Sequence, residues 1–136
     1  MKEYRKVFND SYKRAIEPDA NSFYKRFYEN FISADPKIAV LFAKTFMNLQ
    51  REMLKQSMTI MMSFSDTMEP DNELEEIAMM HGKGKLDIPP GFYEIWLDRM
   101  IKTVEEFDPE FDESVETAWR VMMAPGVAYM QSFCGK

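Results

Sequence analysis

The chain has 136 residues, a length that suits one domain and lets about two-thirds of the unfolded surface be buried without disulfide or metal staples. Hydrophobic residues make up 46% of it and charged residues 29%, which excludes the disordered and fibrous classes. The net charge of −6, with no dense Lys/Arg cluster, argues against nucleic acid, because binding to a phosphate backbone draws its affinity from counterions released by basic side chains.

No apolar run reaches the roughly 18 to 20 residues of a membrane span, and the opening from Met1 to Lys6 lacks the apolar stretch of a secretory signal. A cytoplasmic protein without a membrane partner is expected. The single cysteine, Cys134, has no partner for an internal disulfide and reads as a bland thiol near the terminus. Thirteen methionines and eleven phenylalanines suit a core that wraps a flat, bulky ligand, although drift among interchangeable apolar residues gives the same composition.

Tyr4, Phe8, Tyr12 and Ile16 share one stripe of a first helix from about Glu3 to Ile16, and Pro18-Asp19 stops it. A second helix follows Asp19 with Phe23, Phe27, Tyr28, Phe31 and Ile32 at helical spacing, and it ends before Asp35-Pro36. Pro36 suits the first turn of a short connector in which Ile38, Leu41 and Phe42 lead into a corner.

The third long helix is expected from about Asn48 to Ser63, with Met47, Gln50, Leu54, Met58 and Met61 on one face. A break over Asp66 to Asp71 follows. Leu74, Ile77, Ala78 and His81 then repeat the spacing before Gly82 and Gly84 end a further helix, so His81 points inward.

Pro89-Pro90-Gly91 opens the next helix, whose apolar face is Tyr93, Trp96, Leu97, Met100, Ile101 and Val104 and whose end is near Asp108-Pro109. The last runs from about Glu113 toward Phe133 with Val115, Ala118, Trp119 and Met122 facing in and a kink expected at Pro125-Gly126. No segment alternates as a half-buried strand does, so the chain reads as all-α, one domain over 1–136.

Three inward polar side chains ask for partners. His81, the one histidine, carries a donor and an acceptor, and as a lone residue it reads first as a core histidine satisfied by backbone groups; its neighbours change that balance. An inward Gln50 costs about 1 to 3 kcal/mol if buried without a hydrogen bond, unless it faces outward beside a stripe of Met47, Leu54 and Met58. The Tyr28 hydroxyl, on an otherwise phenylalanine face, raises the same question.

The order Phe27-Tyr28, Asp35-Pro36, Phe42, Gln50, Leu54, His81, Tyr93 and Ala118-Trp119 resembles the bacterial single-domain globins over nearly the whole chain. Pro36 and Phe42 match that family's short third helix and the phenylalanine that stacks on its haem. The resemblance implies a globin fold around haem b, with His81 as proximal iron ligand and its other N–H held by a backbone carbonyl or a similar acceptor. It implies Tyr28 and Gln50 over the open iron position, a distal pair like that of flavohaemoglobin-type globin domains. Phe42 and Leu54 would limit the space, and Ile88 and Tyr93 would complete the haem surround.

Such a protein binds oxygen reversibly, with nitric oxide and carbon monoxide as other diatomic ligands. Electron density drawn from iron to the gas is stabilised by the O–H and N–H donors aimed at it. Flavohaemoglobin-type domains also pair a proximal tyrosine, here Tyr93, with a glutamate on the last helix. No Asp or Glu occurs from Arg120 to Lys136, and Cys134 falls near the glutamate's place, which argues against peroxidase-like O–O cleavage but not against nitric oxide dioxygenation. That turnover would need an external reductase. Lys83 or Lys85 could meet a haem propionate, or equally stand as solvated surface lysines.

Two further functions remain open at sequence level. One is a haem-based gas sensor in which ligation moves the proximal helix and changes a partner surface. The other is a haem-free globin-like interaction domain in which His81 is a packed polar residue. A monomer and a homodimer are equally compatible with the sequence.

Overall fold

The structure, a computed structural model, describes residues 3–70, 72–82 and 88–133. Asp71, Lys83, Gly84, Lys85 and Cys134, each given a place in the sequence reading, lie outside the described residues. The described residues form α1 (Tyr4–Ala15), α2 (Ala20–Ile32), α3 (Pro36–Leu41), α4 (Met47–Thr67), α5 (Asn72–His81), α6 (Gly91–Phe107) and α7 (Glu113–Gln131), and no strand. No helix among them is long and apolar enough to cross a membrane.

Aspartates start three of these helices. Asp19 accepts from the Ser22 amide at 3.1 Å, Asp35 from Lys37 at 2.8 Å and Asp112 from Val115 at 2.9 Å, each satisfying an amide that the first helical turn leaves without a partner. Pro36 occupies the first turn of α3, where its missing N–H costs nothing.

Two expected boundaries shift. α4 continues past Ser63 to Thr67 because Phe64, buried, carries the inner face one turn further. It stops at Met68, which adopts a left-handed conformation (φ 56°) with its amide on the Phe64 carbonyl. α7 passes through Pro125 as one helix up to Gln131, with Gly126 buried in its wall.

α6 and α7 pack together as a platform. α2 lies on α6, α4 and α5 lie on α7, and α4 touches both α2 and α5. Gly126 permits the α4 contact: a Cβ there would stand 2.7 Å from Cε of Met61. The buried core runs from Phe8 and Trp119, whose ring centroids are 4.6 Å apart, to Phe27, Met58, Met100 and Met123.

Polar bonds lock the far side of the core. Asp108, its side chain shut off from solvent, accepts from Arg14 Nε at 2.6 Å, from Ser11 Oγ at 2.7 Å and from the Glu110 amide at 2.9 Å. Ser11 in turn accepts from Trp119 Nε1 at 3.0 Å. These bonds join α1 to α7 and to the α6–α7 turn, which leaves the surround of α2, α4 and α5 for a site.

Candidate functional site

The aromatic face of α2 places Tyr28 opposite the first turns of α4. Gln50 Nε2 donates to the Tyr28 hydroxyl at 3.1 Å. Gln50 therefore lies on the inner side of α4, half-buried, and the inward polar group that needed a partner has one. Because the Tyr28 oxygen is accepting, its own proton remains to donate, and no described side chain or carbonyl takes it.

Burial pushes the Tyr28 hydroxyl up to about 12, against the opposing influence of the Gln50 hydrogen bond and the nearby positive charge of Arg51. Tyr28 is thus a neutral donor at physiological pH. Its ring is held edge-on to Phe42, with centroids 5.6 Å apart, and Phe42 meets Phe31 at 6.0 Å in the same manner. Phe42 follows the last residue of α3, so the short helix opened by Pro36 delivers its ring beside Tyr28 and Phe31. Leu54, one turn beyond Gln50, is buried on the same helix.

His81 is the last residue of α5 and half-buried. Its Nδ1 lies 2.7 Å from the Ile77 carbonyl one turn earlier. A carbonyl only accepts, so the proton of the neutral ring sits on Nδ1 and the lone pair on Nε2, the nitrogen available to a metal. The His81 carbonyl accepts from the Ile88 amide at 3.0 Å, which ties Ile88 to the end of α5 by backbone. Tyr93 is buried in the first turn of α6.

Gly82 has a different role from the one its position suggests. It does not adopt the left-handed conformation that favours glycine at helix ends; instead a Cβ there would stand 2.9 Å from the Phe133 carbonyl oxygen. The missing side chain lets the histidine's end of α5 press against the end of α7.

The structure therefore groups Tyr28, Gln50 and Phe42 by direct contact, joins His81 to Ile88 through backbone, and buries Leu54 and Tyr93. Sequence reasoning did not single out Phe31 or Arg51. Phe31, on the apolar stripe of α2, gives no signal beyond core packing, and Arg51 gives one only as the cation next to Gln50.

The seven helices and their arrangement define a class: the fold is that of a bacterial single-domain globin, haemoglobin-like in architecture. The particular likeness is to a crystal structure from Pseudomonas aeruginosa PAO1, described as structurally highly homologous to a human haemoglobin, with a TM-score of 0.88 and 28% identity over 98% of this chain and 99% of that one. No protein-family model and no curated protein sequence matches the chain.

Proposed function

We propose that this globin fold holds one haem b through Nε2 of His81 and binds oxygen reversibly on the Tyr28 and Gln50 side. The observation that carries the reading is the Gln50–Tyr28 hydrogen bond, which orients a buried hydroxyl and leaves its proton free to donate. The haemoglobin-like fold and a His81 ring whose Nδ1 is already engaged by a carbonyl support the same cofactor.

Haem supplies a ferrous iron with one coordination position for a diatomic gas. The chain's residues supply the rest. His81 would hold the iron through Nε2, its ring orientation and tautomer fixed by the hydrogen bond on its other side. Tyr28 offers its hydroxyl proton to the ligand, Gln50 holds that hydroxyl in place, and Phe42 and Leu54 keep water out. Nitric oxide and carbon monoxide fit the same position, and conversion of nitric oxide and oxygen to nitrate would consume one electron per turnover, supplied by a separate reductase.

Titration of the purified chain with haemin, followed by reduction and exposure to carbon monoxide or oxygen, tests the reading. The expected result is one haem per chain, with a Soret band that shifts on gas binding and is lost in His81→Ala. Absence of stoichiometric haem, or an unchanged spectrum in His81→Ala, overturns it.

A further inference from the structure

The N-terminal halves of α2 and α4 flank a cleft of about 370 Å³, near the lower end of the ~300–1,000 Å³ of small-molecule sites. Three cations line it, Lys25 from α2 and Arg51 and Lys55 from α4, against one acid, Glu52. None of the three forms an ion pair with a described residue. The chain has 23 carboxylate side chains against 17 basic ones, and Arg5, Arg14, Arg26 and Arg120 each hold a carboxylate. Leaving three neighbouring cations uncompensated is therefore a local feature of this cleft.

The surroundings strengthen that charge. Neither α2 nor α4 has an acid in its first turn, and the carboxylate of Asp19, which caps α2, is taken by the amide and the hydroxyl of Ser22. Tyr24, 2% exposed, forms a buried part of the wall, and a low-dielectric wall concentrates the potential of like charges around a cleft. Arg51 is half-buried, and its Nη2 donates to Oδ1 of Asn48, another residue of the wall. That bond holds the guanidinium in place before any ligand arrives and leaves the Asn48 Nδ2 as a further donor.

We propose that this cleft binds a small phosphate monoester whose organic part carries a hydroxyl. The planar fork of Arg51 matches two phosphate oxygens, while Lys25 and Lys55 act as point charges on the same group. Glu52 only accepts hydrogen bonds, so it takes the hydroxyl of the organic part and repels a second anionic group placed beside it. The cleft is open and its cations are partly solvated, so the affinity is modest. The proposed haem and gas sites use none of these residues, so failure of one reading leaves the other standing.

Isothermal titration calorimetry of the full chain at constant ionic strength is expected to give one site for ribose 5-phosphate, with a Kd of about 0.1 to 1 mM. Inorganic phosphate should bind more weakly and ribose not at all. Arg51→Gln should weaken ester binding about tenfold, and Lys25→Gln or Lys55→Gln about threefold each. All three variants should melt close to wild type, since these side chains reach solvent. Lys13→Gln, which removes an exposed and unpaired charge from α1, should leave the affinity unchanged. No binding of the ester, binding of ribose, inorganic phosphate bound as tightly as the ester, or equal losses in Lys13→Gln and Arg51→Gln overturns the proposal.

Discussion

The amide of Gln50 on α4 donates to the hydroxyl of Tyr28 on α2 across 3.1 Å, so a residue near the start of one helix sets the rotor of a buried phenol on another. The two helices are held against each other from both sides, α2 by α6 and α4 by α7. Their relative position, and with it the direction of the free phenolic proton, is therefore set by the whole platform.

Removing that proton should be felt by the gas. In the haem-loaded protein Tyr28→Phe is expected to speed oxygen dissociation about 5- to 30-fold, from a hydrogen bond worth about 1 to 2 kcal/mol. Gln50→Leu, which removes the group that orients the hydroxyl, should give a smaller acceleration. Stopped-flow displacement by carbon monoxide measures both. Because burial pushes Tyr28 up to about 12, the wild-type rate should stay flat between about pH 7 and pH 10. An unchanged rate in Tyr28→Phe would mean that the hydroxyl does not meet the ligand.

Acid should find Asp108. Burial pushes its carboxyl up, but the hydrogen bonds from Arg14, Ser11 and the Glu110 amide outweigh burial and hold it below the usual carboxylate range. A depressed folded value means that the unfolded chain binds the proton more readily. The contribution is therefore complete well above the unfolded value of about 3.9 and is lost as pH falls through the folded value. Asp108→Asn is expected to cost about 3 kcal/mol at pH 7, with the difference from wild type shrinking toward pH 3. Urea unfolding at a series of pH values checks this; a difference independent of pH would exclude a charged Asp108 as its source.

Gly82→Ala should disturb the end of α5 without altering His81 itself. The added methyl would meet the Phe133 carbonyl at 2.9 Å, and a backbone carbonyl cannot yield as a flexible side chain can. A loss of about 1 to 3 kcal/mol is expected, together with haem transfer to a scavenging apoprotein that is about tenfold faster. Unchanged thermal stability and transfer would show that the close approach is not structurally required.

The end of α4 offers the opposite sign. Met68 holds φ 56° with an exposed side chain, a conformation that costs a residue with a Cβ about 1 to 2 kcal/mol and glycine little. After the entropy glycine loses on folding, Met68→Gly should stabilise the chain by up to about 1 kcal/mol. A rise of a few degrees in Tm, read by circular dichroism, is the expected outcome; a fall would mean that Met68 packing outweighs the backbone strain.

Much of the helical order was present in the amino-acid sequence by itself. Prolines and aspartates at 18–19, 35–36 and 89–90 and apolar residues at steps of three and four are local signals, since caps and amphipathic faces arise from residues a few positions apart. The same spacing put His81, Gln50 and Tyr28 on inward faces, where the structure has them buried or half-buried.

What only the tertiary structure decided rests on pairs far apart in the chain. Gln50 and Tyr28 are 22 residues apart, Ser11 and Asp108 are 97, and Ser11 and Trp119 are 108, distances over which periodicity carries no information. The extension of α4 to Thr67 follows from the burial of Phe64, and the need for glycine at 82 follows from a carbonyl at 133. Local chemistry determines which segments become helices and which faces are apolar. Close packing determines which polar groups on those faces meet, because only there does the loss of water make an unpaired donor costly.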